Sequence, residues 1–437
     1  MTTEVGMIDL RSEIQEILKE REITKSELRE ALKRAFEVAY SRENRMDSPP
    51  PNFRVDVDLG RGKVGAFLVK RVLTEARDPS TEISIADVRA LGHDLPARSF
   101  YQELVDFGNL SRIAIREAMR TLNEGIAEAE RVNLTKKSEI LVETNVYGEI
   151  FKVVRDTAWV EIGKIEGILR RSERIGMESR KQKVKMGVRA YAHGVTKDRS
   201  GRPQLLLSRT HPGFLRGLME ENIPEIAEGQ IEVKNVRRTP GVRAKVAVHS
   251  VERGLEPLGA CIGPAGRRIN AVIKELSNEK IDVIKWDEKP RHYVANAMRP
   301  VHVGPQDVIL LHYLGINTEE GMPPRRKAIV VVPLDQKSKA IGNEGENVGL
   351  AARITGWAID VWSRTDFENL PDKALSDDAF EMPPFILEAL EGVGVLLVRD
   401  LFTYDEEGLE KIEGLGKEGA RILLQFLDDV GVTEGEE

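Results

Sequence analysis

Two short loops framed by glycines carry the clearest chemistry in this sequence. Gly263-Pro264-Ala265-Gly266 recurs 79 residues later as Gly342-Asn343-Glu344-Gly345, and an isoleucine precedes each copy. A Gly-x-x-Gly loop at the start of a helix brings backbone amides close to phosphates, because no side chain intervenes. The hydrophobic pattern places each copy between a strand and a helix that leads into another strand. The repeat therefore predicts a duplicated module that clamps single-stranded RNA, about four nucleotides per loop.

The charges beside the two loops differ. Arg267 and Arg268 follow the first loop and are predicted to reach phosphates, whereas Glu344 within the second loop and Glu346 directly after it would repel phosphates. The candidate RNA-binding residues of the two loops are Gly263, Pro264, Ala265, Gly266, Arg267, Arg268, Gly342, Asn343, Gly345 and Asn347.

Residues 140–208 predict a third RNA-binding element. Short strands with glycine turns fill this segment and favour a small β-barrel. The candidates for base stacking in a cationic groove are Phe151, Trp159, Tyr191, Arg170 and Arg171. Trp159 fits a place in the barrel core equally well, so both interpretations stay open.

Other motifs fail the tests of their context. Gly60-Arg-Gly-Lys-Val-Gly65 matches a dinucleotide fingerprint, but Ala66–Val69 continues as a strand where a helix is required. The seven histidines have no metalloprotease spacing, and the single cysteine, Cys261, excludes a cysteine zinc site. We therefore expect no enzymatic activity, no cofactor and no metal. An exoribonuclease with accessory RNA-binding modules is the rival hypothesis, and it requires a catalytic domain that the first 140 residues do not indicate.

The charge is unevenly distributed along the 437 residues, whose net charge is −7. Residues 1–140 hold 23 basic and 25 acidic side chains, residues 141–365 hold 37 and 27, and residues 366–437 hold 5 and 20. The basic middle favours a polyanionic partner. The acidic tail either competes with that polyanion or only keeps the chain soluble.

The remaining elements frame these sites. Thr24 and Glu27 predict a capping box for a helix that carries Leu28, Leu32 and Phe36. Alternating residues predict strands over 53–59 and 64–72, and apolar spacing predicts one long helix from Ser99 to Arg131. No apolar run approaches the ~18 residues of a membrane span, and the start is not a signal peptide. We expect a cytoplasmic protein without membrane contact.

Four segments resemble the NusA family of bacterial transcription factors. They are Pro203–Phe214 (PQLLLSRTHPGF), Pro257–Gly266 (PLGACIGPAG), Ala340–Val348 (AIGNEGENV) and Leu350–Trp357 (LAARITGW). The resemblance implies a multidomain α/β chain with an α+β N-terminal domain at 1–139 and an S1-type OB β-barrel at 140–208. It further implies two tandem type II KH domains at 209–300 and 301–365, and a small α-helical acidic C-terminal region at 366–437, like a helix-hairpin-helix.

The resemblance also implies a function. The N-terminal domain would bind RNA polymerase, while the barrel and the KH domains would contact nascent single-stranded RNA. The expected effects are on pausing, intrinsic termination and antitermination, together with other Nus-type factors, and we expect a monomer. The alternative is an RNA-binding protein that acts on mRNA or the ribosome without a polymerase partner.

Overall fold

The computed structural model describes residues 8–9, 11–108, 110–176, 183–313, 325–365, 375–376, 380–401, 404 and 406–432. Residues 366–374, at the start of the acidic region, lie outside these residues. The chain divides into two compact units, the first comprising 1–142, 161–167 and 194–206 and the second comprising 143–160, 168–193 and 207–437. Within the described part, no helix is long and apolar enough to cross a membrane.

The N-terminal domain combines helices with a mixed sheet. Its elements are β1 (Ile8–Asp9), α1 (Arg11–Glu20), α2 (Lys25–Glu43), β2 (Phe53–Asp58), β3 (Lys63–Leu73), β4 (Glu82–Ser84), α3 (Ile85–Ala90), β5 (Phe100–Leu104) and α4 (Arg112–Leu141). The long strand β3 pairs with all four other strands. The predicted capping box of α2 is present: the Thr24 hydroxyl accepts from the Glu27 backbone N–H, and the Glu27 carboxylate accepts from the Thr24 N–H.

The predicted helix from Ser99 to Arg131 is wrong in its first third. Phe100–Leu104 is strand β5, which pairs antiparallel with β3 from Phe67 to Arg71. The Asp106 carboxylate accepts the Gly108 amide in a turn, and α4 begins only after Ser111, whose hydroxyl caps the Ala114 amide. A local turn and an available sheet edge therefore overrode the apolar spacing at this end.

Five strands close into the predicted barrel, in the order β10-β8-β7-β6-β9. They are β6 (Asn145–Val154), β7 (Thr157–Ile162), β8 (Ile165–Arg170), β9 (Gly187–Lys197) and β10 (Pro203–Ser208). Alternate residues point inward, so Ile150, Val160 and Leu169 are buried while their neighbours form the outer face. The closed barrel confirms the predicted OB-like fold.

The first KH domain follows the barrel. It comprises α5 (Pro212–Asn222), α6 (Pro224–Ala227), β11 (Ile231–Thr239), β12 (Arg243–Ser250), α7 (Pro257–Ile262), α8 (Arg267–Glu275) and β13 (Lys280–Lys285). Strand β12 pairs antiparallel with β11 and parallel with β13. Ala244, Val246 and Val248 of β12 are fully buried beneath the helices.

The second KH domain repeats this plan, as the sequence repeat predicted. After α9 (Pro290–Ala297) come β14 (Val308–Tyr313), β15 (Arg325–Val332), α10 (Leu334–Ile341), α11 (Glu346–Thr355) and β16 (Ala358–Ser363). Strand β15 again pairs antiparallel with the preceding strand and parallel with the following one. Ala328, Val330 and Val332 of β15 occupy the places of Ala244, Val246 and Val248.

The outer sheet faces of the two KH domains are covered by different neighbours. In the first domain, Ala247 and Ile284 belong to the same core cluster as Tyr293 of α9 and Ile354 of α11. In the second domain, Ile329 lies in a cluster with the C-terminal helices, and Trp362 packs against it. Those helices are α12 (Pro384–Gly392), α13 (Val398–Leu401), α14 (Glu406–Glu410) and α15 (Gly416–Val432). The acidic C-terminal region is therefore helical, as predicted, and is packed against the second KH sheet.

Candidate nucleic-acid interface

The first glycine loop has a backbone that its sequence explains. Gly263 has φ +72° and ψ 174°, Ala265 has φ +52° and ψ 27°, and Gly266 has φ +71° and ψ 11°. A Cβ on Gly263 would lie 2.7 Å from the Arg268 side chain, so no other residue fits there. Pro264 and Ala265 are exposed at the tip, and α8 starts directly behind them. The loop presents bare backbone next to a helix start, which is the arrangement that phosphate binding requires.

The second loop repeats this backbone almost angle for angle. Gly342 has φ +80° and ψ 173°, Glu344 has φ +51° and ψ 31°, and Gly345 has φ +70° and ψ 13°. A Cβ on Gly342 would lie 2.8 Å from the backbone nitrogen of Asn347. The two loops therefore share one backbone conformation although their side chains differ. The second loop carries the negative charge of Glu344, and the first loop has no charged residue.

The two arginines after the first loop have separate surroundings. Arg267 is exposed, and its Nε donates to the Pro264 carbonyl at 3.4 Å. Arg268 is half-buried and bound to Glu225, whose pKa is lowered by a backbone hydrogen bond and by this guanidinium. Arg267 is therefore the better placed of the two for an RNA phosphate.

Asn347 differs from the expectation that it faces RNA. Its side chain is buried, and Nδ2 donates to the carbonyl oxygens of Ala340, at 2.9 Å, and Met298, at 3.3 Å. The buried Asn347 side-chain amide thus connects the start of α11 to the end of α10, and these two helices flank the second glycine loop. We assign Asn347 a structural role. Asn343 and Glu344, in contrast, are exposed at the loop tip.

Four of the five barrel candidates lie on or next to three neighbouring strands, β6, β7 and β8, while Tyr191 lies on β9. Phe151 follows the buried Ile150 on β6, half-buried Trp159 lies between buried Ala158 and Val160 on β7, and Arg170 is exposed at the end of β8. This alternation places Trp159 on the outer side of β7 and not in the barrel interior. Arg171 is also exposed, and its Nη1 lies 3.2 Å from Asp156.

The segment between the barrel and the first KH domain is held by buried charges. Arg238 and Glu279 are fully buried and paired at 2.5 Å, and the Glu279 carboxylate also accepts the Gly241 amide. Arg238 Nη1 donates to the carbonyl oxygens of Arg209 and His211. These bonds fix the Ser208–His211 segment on the first KH domain.

A polar cavity bordered by helix α5 was not predicted. It contains Asn145, Tyr191 and Arg216 together with other polar residues of the second unit. No motif marks these positions in the sequence, because they come from separate elements. Within the described part of the chain, no group of three or more His, Cys, Asp or Glu residues could hold a metal ion.

Comparisons with known proteins agree with this architecture. Family models described as the NusA N-terminal domain, the NusA-like first KH domain and the NusA-like second KH domain match residues 9–132, 209–286 and 290–369.

Curated relatives are similar over most of the chain. The transcription termination/antitermination protein NusA of Halalkalibacterium halodurans is 33% identical over 83% of this chain and 91% of its own length. The protein of that name from Bacillus subtilis is 35% identical, over 80% and 90%. The one from Rickettsia conorii is 27% identical and extends the match to 98% of this chain and 86% of its own length. The chain therefore belongs to the NusA family of transcription termination/antitermination proteins.

Proposed function

We propose that this chain binds RNA polymerase and nascent single-stranded RNA at the same time, and so modulates pausing, intrinsic termination and antitermination. The observation that carries the RNA half is the pair of glycine loops, which have matching backbone angles in two tandem domains of one compact unit. The outer barrel face with Phe151, Trp159, Arg170 and Arg171 would extend the path of the RNA.

The polymerase half of the proposal is supported by an apolar groove in the N-terminal domain. A cavity of about 470 Å³ lies among α1, α2, α4 and the Phe107–Leu110 segment. On α4, Ile115 and Met119 line it although 48% and 52% of their surfaces are exposed. Exposed apolar side chains gathered at one groove are typical of a protein-binding surface. Such a surface suits an apolar element of a protein partner better than it suits RNA.

The test measures how long RNA polymerase dwells at a hairpin-dependent pause with the full chain present. We expect a longer dwell time with the wild-type protein. Met119→Glu should shorten it by weakening polymerase binding, and Arg267→Glu should shorten it by weakening RNA binding. Glu228→Gln, an exposed substitution on the first KH domain, serves as the control.

Each result decides between the proposal and the alternatives. An unchanged dwell time despite tight binding of an RNA oligonucleotide would favour the mRNA- or ribosome-associated alternative. Pull-down of core polymerase by wild type and not by Met119→Glu would support the docking groove. Degradation of labelled RNA in the presence of a divalent metal would instead support the exoribonuclease hypothesis.

A further inference from the structure

The polar cavity of the second unit has the size of a nucleotide site. Its volume is about 570 Å³, and it opens among the start of β6, Tyr191 of β9, helix α5 and strand β11. The residues around it that carry side-chain chemistry are Glu143, Asn145, Tyr191, His211, Arg216 and Glu220. Tyr191 is one of the barrel candidates, whereas Phe151, Trp159, Arg170, Arg171 and both glycine loops lie outside the lining of this cavity.

Two glycines on one face of α5 shape the wall of the cavity. A Cβ on Gly213 would lie 2.4 Å from Cζ of Tyr191, and one on Gly217 would lie 2.5 Å from Nδ2 of Asn145. Because residues four apart share a helix face, the bare backbone of this face packs directly against both side chains. Tyr191 and Asn145 are therefore held in place by close packing.

The cavity offers hydrogen-bond acceptors that the protein leaves unused. Asn145 Nδ2 donates to the Phe214 carbonyl at 3.2 Å and to Glu221 at 3.4 Å, whereas its buried Oδ1 finds no hydrogen-bond partner among the described residues. The Glu143 and Glu220 side chains are exposed at the cavity, and no hydrogen bond or ion pair joins either of them to another described residue. A buried acceptor without a donor is costly, so a ligand that brings an N–H group to Asn145 Oδ1 would be favoured here.

The remaining wall is aromatic and cationic. Tyr191 and His211 are stacked with their ring centroids 4.7 Å apart and their planes 5° apart. The His211 Nδ1 accepts the Gly213 amide, and desolvation lowers the pKa of His211, which favours the neutral ring. Arg216 is exposed at the cavity, and Arg237 is bound through Nε to the Arg353 carbonyl.

We propose that this cavity binds one nucleotide of the RNA, with a guanine edge against Asn145 and the glutamates and a phosphate against Arg216. The inference rests on the proposed function. A ligand with only negative charge would be repelled by Glu143 and Glu220, and one with only positive charge would be repelled by Arg216 and Arg237. A nucleotide joins an anionic phosphate to a neutral base. Guanine in particular has two adjacent N–H donors, on its ring nitrogen N1 and its exocyclic amine, and these can donate to the two oxygens of one carboxylate.

The test uses the full-length chain and two kinds of probe. Calorimetric titration with guanosine monophosphate should show saturable binding, about tenfold weaker for Glu143→Gln and for Glu220→Gln, because each removes one charged acceptor. Inosine monophosphate, which lacks the exocyclic amine of guanine, should bind more weakly than guanosine monophosphate. A guanosine-containing RNA 12-mer should compete with the mononucleotide. Glu228→Gln is the matched control, since it removes an exposed carboxylate outside the cavity.

Several outcomes would overturn the inference. Equal affinity of wild type and both cavity variants for guanosine monophosphate would exclude recognition by these carboxylates. Binding of an arginine-containing peptide in place of the nucleotide would assign the cavity to a protein partner. If the mononucleotide fails to bind while the chain still prolongs pauses, this inference is wrong and the proposed function stands. If the mononucleotide binds while RNA oligonucleotides and polymerase do not, the proposed function is wrong. The inference that the cavity takes a nucleotide of an RNA chain is then wrong as well.

Discussion

Arg268 and Glu225 lie against one another behind the first glycine loop, with Nη1 of the arginine 2.9 Å from both carboxylate oxygens. The same nitrogen donates to the Ala260 carbonyl at 2.7 Å. These bonds connect the start of α8 to α7, which precedes the loop, and to α6. The adjacent Arg267 has no comparable ion pair among the described residues, so the two neighbouring arginines have different roles.

The first prediction separates those roles. Arg267→Glu should weaken binding of a single-stranded RNA about tenfold at low salt, and the slope of log affinity against log salt should fall by roughly 0.7 for the lost phosphate contact. Arg268→Met should instead lower the free energy of unfolding by about 1 kcal/mol, because Glu225 loses its partner. Fluorescence anisotropy and urea unfolding measure the two effects. Arg42→Glu, on α2 of the N-terminal domain, is the charge-matched control for RNA affinity.

The second prediction concerns the acidic loop of the second KH domain. Glu344 is exposed at the tip, where a negative charge repels phosphate. Glu344→Lys should therefore raise RNA affinity about threefold, which is less than the combined Arg267→Glu and Arg268→Glu change lowers it. The same anisotropy titration measures both. Equal affinities of the wild type and the double variant would contradict the use of the first loop.

The third prediction concerns the buried pair of Arg238 and Glu279. Glu279→Gln leaves the arginine charged and buried without its counter-ion, so the free energy of unfolding should fall by roughly 3–5 kcal/mol. Replacing both residues, as Arg238→Met with Glu279→Leu, should cost less than Glu279→Gln alone. Urea unfolding of the three proteins gives the comparison. A double variant that is less stable than Glu279→Gln would show that the pair is needed for more than mutual neutralisation.

The fourth prediction is a pH dependence. Burial lowers the pKa of Lys245 from 10.5 to about 8, even though Asp282 lies 3.2 Å away and favours the charged form. Between pH 8 and 10.5 the unfolded chain then binds more protons at this group than the folded chain, so this lysine adds stability as the pH rises.

Comparison with Lys245→Met isolates that contribution. The free energy of unfolding of the wild type should rise relative to the variant by about 1 kcal/mol per pH unit between pH 8 and pH 10. Burial raises the pKa values of Cys261 and Tyr293 to about 12, which lowers stability at high pH, but both residues are present in each protein and cancel. A constant difference between the two proteins would show that Lys245 stays charged.

Local signals in the sequence predicted local structure well. The Thr24 capping box and the glycine loops follow from bonds within a few residues, and both are present. The helix predicted from Ser99 failed because Phe100–Leu104 pairs with a strand some 30 residues earlier, and apolar spacing does not register such a partner. Long-range pairing decided that segment.

For the candidate site too, the sequence predicted local backbone structure but not the long-range side-chain contacts. The loop backbones were expected from glycine spacing, whereas the burial of Asn347 depends on carbonyl oxygens of Ala340 and Met298. The separation of Arg267 from Arg268 depends on Glu225, 43 residues away. The polar cavity joins parts of four elements, and no single stretch of sequence contains its pattern. The roles of these side chains therefore depend on tertiary contacts, which the local sequence does not show.

The stacking of the C-terminal helices on Ile329 and Trp362 makes the KH domains the inner members of a short linear array. The first KH sheet is closed by the second domain, and the second sheet is closed by α14 and α15. A repeat array needs a terminal unit that hides the last apolar face and turns a polar one to water. Among the described residues of the C-terminal region, Glu388, Glu391, Glu413 and Glu418 are exposed, which suits that polar face. Because this terminal unit covers the sheet face opposite the helix layer that carries the Gly342–Gly345 loop, it ends the array while leaving that loop open.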